Sequence, residues 1–205
     1  PNNSYLFTTN AENLNFDIDF YYNIAIATEG SHQCWRTENW GTGDHYFDIW
    51  NNVFYCDTSA ARACMLYLSE DSWAFKNNIV IHTGNGYCLE FGSGVNLDAF
   101  VANHVHNSYT SGQADLFNYK SAGRTWAEWN SDGFDVAAGA NIDPLFDAAG
   151  GTTAGSYKVR ANSSCIGAGT DVGLDRDYFG TRIETLPCVG AHHPSAILQV
   201  HQGHH

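Results

Sequence analysis

Three carboxylates stand where two short segments read alike. Asp17 and Asp19 are two residues apart in Asn15-Phe-Asp-Ile-Asp-Phe20, and Asp48 sits in Tyr46-Phe-Asp-Ile-Trp50. Residues two apart on an extended strand share a face, so Asp19 and Asp48 fall at equivalent outward positions on neighbouring strands. Like charges directly opposite each other repel. Such a pair needs a cation, a shared proton or a splayed geometry. Two chemistries fit: Asp19 and Asp48 could supply oxygen ligands to Ca²⁺, or Asp17, Asp19 and Asp48 could act as the paired carboxylates of glycoside hydrolysis. A structural account, in which twist and solvent keep the charges apart, competes with both.

Aromatic residues crowd the same region. Trp35, Trp40, Tyr46 and Trp50 lie in or beside a polar excursion over residues 28–46. Exposed rings next to Asp, Glu and Asn are what sugar-stacking surfaces use, because a ring face covers the apolar face of a pyranose. The same rings could instead roof a hydrophobic core. Histidines are also frequent, with His82, His104 and His106 on strand-like segments and His32 and His45 in the excursion. Zinc would require three or four of them to converge, and an exposed or ladder role is the simpler account. Lyase chemistry on polyuronates would need a basic residue beside bound Ca²⁺. Lys76, Lys120 and Arg124 are the basic residues that follow Arg62 on the central segments, and they match no lyase pattern.

These residues are positioned by a repeat. Phe47-Asp-Ile-Trp-Asn51-Asn52-Val53-Phe-Tyr55, Trp73-Ala-Phe-Lys-Asn77-Asn78-Ile79-Val-Ile81 and Ala99-Phe-Val-Ala-Asn103-His104-Val105-His-Asn107 share one pattern, and Asn51, Asn77 and Asn103 recur every 26 residues. Apolar residues alternate at period two within each line, which is a strand signal, and no helical stretch separates the strands. A short period built of strands and turns predicts an all-β fold, a right-handed parallel β-helix (solenoid) of about five or six rungs. Stacked Asn amides both donate and accept, so Asn51, Asn77 and Asn103 are expected to form a structural ladder. Aligning Asn23 with Asn52 adds an earlier rung with a slightly longer offset. Second strands are expected at Cys64–Leu68, Cys88–Phe91 and Leu116–Tyr119, and a further rung near Trp126–Asn130.

Composition narrows the partners. The 205-residue chain is long enough for one domain with a substantial core. It carries 9 Lys+Arg against 22 Asp+Glu, a net charge of −13. That balance argues against nucleic acid, and against polyanionic glycans unless Ca²⁺ bridges them. Six cysteines suit an oxidising, extracellular or cell-surface setting, and their number leaves the pairing of Cys34, Cys56, Cys64 and Cys88 open. No apolar run is long enough to span a membrane.

The C-terminal third carries a family likeness. Asn141-Ile-Asp-Pro-Leu-Phe146 resembles the "DP-x-F" turn, Ser164-Cys-Ile-Gly-Ala-Gly-Thr170 the "SP-A/C-I-D-A-G-T" strand, Asp177-Tyr-Phe-Gly-Thr-Arg182 the "D-x-x-G-x-x-R" turn, and Val189-Gly-Ala191 the terminal "D-I-G-A-x-E" of extracellular β-helix proteins of the pectate-lyase-like superfamily. The likeness covers roughly residues 14–191 and implies a coil with a closing segment, so that residues 1–191 are expected to form one domain and 192–205 read as a His-rich tail. Ser164 replaces the family's Pro, Cys188 stands where Asp is frequent, and His192-His193 replace the last acidic position. Cys165 and Cys188 would then lie in the two closing strands, where a disulfide would staple the end to the coil.

Two functional classes follow. The first is a non-catalytic extracellular module, structural or glycan-binding. The second is a carbohydrate-active enzyme, a polysaccharide lyase or glycoside hydrolase, with its cleft near residues 17–50. The stretch before Leu14 reads as a polar lead without a cap. An uncapped first rung is expected to meet an upstream domain or a second subunit, so that copies stack end to end.

Overall fold

The computed structural model describes residues 5–11, 16–39, 45–67, 72–92, 104–105, 107–135, 143–183 and 186–194. After β1 (Tyr5–Ala11) the chain makes four triplets of strands. They are β2 (Phe16–Tyr21), β3 (Ile24–Ala27) and β4 (Gln33–Asn39); β5 (His45–Trp50), β6 (Val53–Cys56) and β7 (Arg62–Tyr67); β8 (Ser72–Lys76), β9 (Ile79–His82) and β10 (Tyr87–Phe91); and β11 (His104–Val105), β12 (Ser108–Ser111) and β13 (Asp115–Tyr119). The chain then adds β14 (Ala122–Thr125), α1 (Trp126–Ser131) and a short 3₁₀ helix at Ala154–Tyr157.

Each triplet feeds three sheets in turn. The first sheet has the order β1-β4-β7-β10-β13-β14, the second β11-β8-β5-β2 and the third β12-β9-β6-β3. All neighbours run parallel except β13 and β14. The all-β expectation therefore holds, with parallel sheets.

Register is set by the Asn-Asn pairs, and the two members do different jobs. Asn51 and Asn77 take φ of 55° and 56°, the left-handed corner that Asn tolerates. The second members form the ladder. Asn52 Oδ1 accepts from Asn23 N–H (2.8 Å) and Nδ2 (3.1 Å), Asn78 Oδ1 from Asn52 N–H and Nδ2 (both 3.0 Å), and Asn107 Oδ1 from Asn78 N–H (2.8 Å) and Nδ2 (3.0 Å). The Nδ2 groups of Asn52, Asn78 and Asn107 also donate to main-chain carbonyls of the preceding triplet, those of Phe20, Ile49 and Phe75 respectively. The amides are thus satisfied on every side, which buried polar groups require.

Of the ladder expected at Asn51, Asn77 and Asn103, the Asn51–Asn77 step is present with both residues buried. Asn77 donates to Asn51 Oδ1 (3.2 Å), but the column that ascends the stack runs one residue later. The constant 26-residue step also fails after β8. His104 pairs with Phe75, so Asn107, not Asn103 or His104, follows Asn78. Asn103 lies outside the described residues.

Aromatic rings fill the interior. Trp35 meets Phe20 edge-on at 4.2 Å, and Phe54 stacks over Phe75 at 6.3 Å. At the far end Trp129 lies between Phe117 and Phe134, at 4.3 and 4.2 Å. That end is closed by α1, where a further strand is expected from sequence. Thr125 and Glu128 form a reciprocal capping box at its start, the Thr-x-x-Glu signature of a helix N-terminus. Beyond β13 the first sheet ends, among the described residues, in the antiparallel strand β14. At the opposite end β1, β2 and β3 each pair on one side only among the described residues. The lead, read from sequence as polar and without a cap, contributes β1, whose Tyr5 and Phe7 pair with Gln33 and Trp35 of β4.

Residues 143–194 return along the third sheet. In β6 and β9 one alternate set, Phe54, Cys56 and Val80, joins the aromatic interior. The other set, Val53, Tyr55, Ile79 and Ile81, packs against Phe146, Tyr157, Val159, Cys165 and Val189. Both faces of these strands are therefore buried. The returning segment is pinned at the Asn corners: Asn77 exchanges hydrogen bonds with Thr170 (2.7 and 2.8 Å), and Asn51 Nδ2 donates to Cys188 O at 3.0 Å.

The expected Cys165–Cys188 staple is not formed, and all six cysteines are free thiols. The two backbones do run side by side, with Val189 N–H donating to Cys165 O at 2.9 Å. The sulfurs face different neighbours, however. Cys188 Sγ lies 3.2 Å from His193 Nδ1, whereas Cys165 packs into the cluster around Phe146 and Tyr157. His192 and His193, assigned to a tail by the sequence, are bonded into the fold: His192 Nδ1 accepts from Val159 N–H and His193 N–H donates to Asp177.

Candidate functional site

Strands β2, β5 and β8 alternate cleanly. Ile18, Phe20, Phe47, Ile49 and Phe75 point into the interior, so the residues between them form the opposite face. Parallel register aligns that face in three columns: Asp17 with Tyr46, Asp19 with Asp48 and Ala74, and Tyr21 with Trp50 and Lys76. Neighbouring strands lie about 4.8 Å apart, so Asp19 and Asp48 are adjacent, as their like segments predict.

Asp17, Asp19, Tyr46 and Asp48 line an open groove of about 360 Å³. Tyr46 is 51% exposed, and Tyr21, at the other end of the same face, is 40% exposed. Tyr21 and Trp50 stack with centroids 6.3 Å apart and planes 21° off parallel. Burial raises the Asp48 carboxyl above the ordinary range, Asp19 raises it further, Lys76 opposes, and Asp17 adds a smaller push. Asp48 therefore holds its proton more readily than a free carboxyl.

Of the residues singled out by sequence, Asp17, Asp19, Asp48, Tyr46 and Trp50 come together on this face. Trp35 does not. It is 2% exposed and belongs to the core beside Phe20 and Phe54, because its strand turns that side inward. Trp40 lies outside the described residues. Tyr21 is the member sequence reasoning missed, although the offset that aligns Asn23 with Asn52 also aligns Tyr21 with Trp50.

The histidines take other roles. His82 is buried, its Nε2 donating to Ala60 O at 2.9 Å and its Nδ1 accepting from Gly84 N–H at 3.1 Å. Glycines crowd it on both sides, since a Cβ at Gly86 would collide with the ring. His32 is half-buried in the turn before β4, and His106 lies outside the described residues. Among the described residues no three His, Cys, Asp or Glu side chains are grouped as a metal centre needs. No helix there is long and apolar enough to cross a membrane. The groove can thus offer two things: carboxylates that accept hydrogen bonds, and a ring pair on which an apolar face can rest. Comparisons with protein-family models, characterised proteins and solved structures return no match.

Proposed function

We propose that the three sheets are the sides of a right-handed parallel β-helix, and that the molecule is an extracellular glycan-binding module of the pectate-lyase-like kind. The observation that carries this reading is the Tyr21–Trp50 stack beside the groove of Asp17, Asp19, Tyr46 and Asp48. The rings cover a pyranose face while the carboxylates accept hydrogen bonds from its hydroxyls. With a net charge of −13, the ligand is a neutral or amino-substituted glycan. A polyuronate would bind only through added Ca²⁺ held by Asp19 and Asp48. A screen of immobilised neutral, amino and uronic oligosaccharides, with Ca²⁺ or with a chelator, tests this. Retention of a neutral or amino glycan in both conditions supports it, and retention of none overturns it.

A second reading, glycoside hydrolysis, draws on one observation. Asp48 has a raised carboxyl next to Asp19, and an acid paired with a base is what that reaction uses. Release of reducing ends from a bound glycan, lost in Asp48→Asn, would favour this reading over simple binding.

A further inference from the structure

The returning segment closes over the third sheet through residues 188–193, which the groove does not involve. Val189 and Ala191 belong to the apolar cluster of Val53, Tyr55, Ile79 and Ile81. Asn51 Nδ2 donates to Cys188 O at 3.0 Å, Gly190 N–H to Asn77 O at 2.6 Å, Tyr178 N–H to Ala191 O at 3.1 Å and His193 N–H to Asp177 Oδ2 at 2.8 Å. One further bond is of a different kind. Val159 N–H donates to His192 Nδ1 at 3.1 Å, so Nδ1 presents a lone pair and the ring is neutral, with its proton on Nε2. The ring stands edge-on to Phe179, with centroids 5.4 Å apart. Lys158 Nζ lies 4.4 Å from the centre of that same Phe179 ring.

We infer that His192 is an acid-released latch: protonation of its ring loosens residues 188–193 from the turn around Val159 and opens the apolar outer face of β6 and β9. Imidazole is the side chain that changes charge near neutral pH, and here the change reverses a bond. A proton on Nδ1 sets two donors, Nδ1–H and Val159 N–H, against each other. Val159 is buried, so its N–H loses its acceptor at a cost and the ring is driven out. The charged groups around the ring do not cancel this. Asp177 is engaged by main-chain donors, Oδ1 by Phe179 and Thr181 and Oδ2 by His193. Asp147 faces Arg160, 3.8 Å away, and His193 Nδ1 turns to Cys188 Sγ at 3.2 Å. Burial holds the His192 ring below the ordinary imidazole range; Asp177 opposes this, Lys158 adds to it, Asp147 opposes and His193 adds. Docking is therefore complete above the ordinary imidazole value, where the ring is neutral whether docked or released. It weakens as pH falls through that value, because the released ring takes a proton that the docked ring refuses.

The test is amide hydrogen exchange of the whole chain at about pH 5.5 and about pH 7.5, either side of the ordinary imidazole value, with each rate normalised to the unstructured rate at that pH. The expected result is a loss of protection in acid at Val159 and residues 188–193, while β5, β6, β8 and β9 stay protected. His192→Asn keeps an acceptor oxygen in the place of Nδ1 but takes no proton, so it should hold the neutral-pH protection at both values. His192→Phe removes the acceptor and should lack that protection at both. A histidine titration by nuclear magnetic resonance gives a second reading, in which His192 titrates below an ordinary imidazole. Equal wild-type protection at the two pH values, the same acid loss in His192→Asn, or a His192 titration at or above the ordinary value would overturn the inference.

Discussion

Asn107 donates to Asp135 Oδ1 twice, through its main-chain N–H at 3.1 Å and its Nδ2 at 2.8 Å. Every earlier member of that column is an Asn, which passes two donors on to the next. Asp135 has none to pass on. Its second oxygen instead accepts from Tyr109 OH and Trp129 Nε1, both at 3.1 Å. An acceptor-only side chain ends the ladder where the chain turns into its aromatic cap, at a residue with φ of 50°.

Asp135→Asn is expected to destabilise the protein by about 1–3 kcal/mol, because an amide placed there faces Tyr109, Trp129 and Asn107, all donors, with one acceptor atom. Asn78→Ala should cost a similar amount by leaving Asn52 N–H and Nδ2 without their shared acceptor. Urea denaturation midpoints measure both. Unchanged midpoints would mean that the column is incidental to stability.

The corner residues should behave differently. Asn77 holds Asn51 on one side and Thr170 on the other, so Asn77→Ala is also expected to cost about 1–3 kcal/mol. Part of that loss should appear as faster hydrogen exchange in residues 165–191 rather than in the sheets. Protection lost evenly across the sheets would place Asn77 in the main ladder after all.

Gly190 has φ of 92°, and a Cβ there would lie 2.5 Å from Ile79 Cδ1. Gly190→Ala should therefore destabilise by at least about 1 kcal/mol, from the left-handed backbone and the overlap together. The change should also expose the returning segment to limited proteolysis before the sheets melt. A cleavage pattern identical to wild type would show that this segment docks without the close approach.

Asp48 gives a pH prediction. Its folded-state pKa is raised, so the folded protein holds the proton more tightly than the unfolded chain. Below the unfolded value both states are protonated and nothing is lost. As pH rises through the folded value the carboxyl must ionise against burial and Asp19, and stability falls. Asp48→Asn removes that loss, so its Tm should exceed wild type at neutral pH and approach it in acid. A Tm below wild type at neutral pH would show that the Asp48 carboxylate stabilises the fold, through Lys76 or another partner.

How much could be read from the chain follows from where the physics is local. Period-two alternation and the Asn-Asn corners are local, and they gave the strands, the parallel order and the adjacency of Asp19 and Asp48. The same repeat misled after β8, where Asn103 keeps the 26-residue interval in sequence but the ladder steps by 29 residues from Asn78 to Asn107. The cap was legible in Thr125-x-x-Glu128, but the aromatic residues around it also suit a strand. Trp35 shows what no local pattern supplies: which side of a strand faces inward depends on the opposing sheets. The Cys165–Cys188 staple was inferred from backbones that do lie together, but side-chain direction sends the sulfurs elsewhere.

The glycan-binding account is tested most directly by isothermal titration of wild type, Trp50→Ala and Tyr21→Ala with the oligosaccharide selected in the screen. A stacked ring contributing about 1.4 kcal/mol corresponds to about tenfold in Kd. The account predicts measurable wild-type binding to a neutral or amino glycan, with Kd raised about tenfold or more in either variant while the thermal melt stays close to wild type. Equal affinities in all three proteins would contradict it, because the ligand would then bind without touching the Tyr21–Trp50 stack.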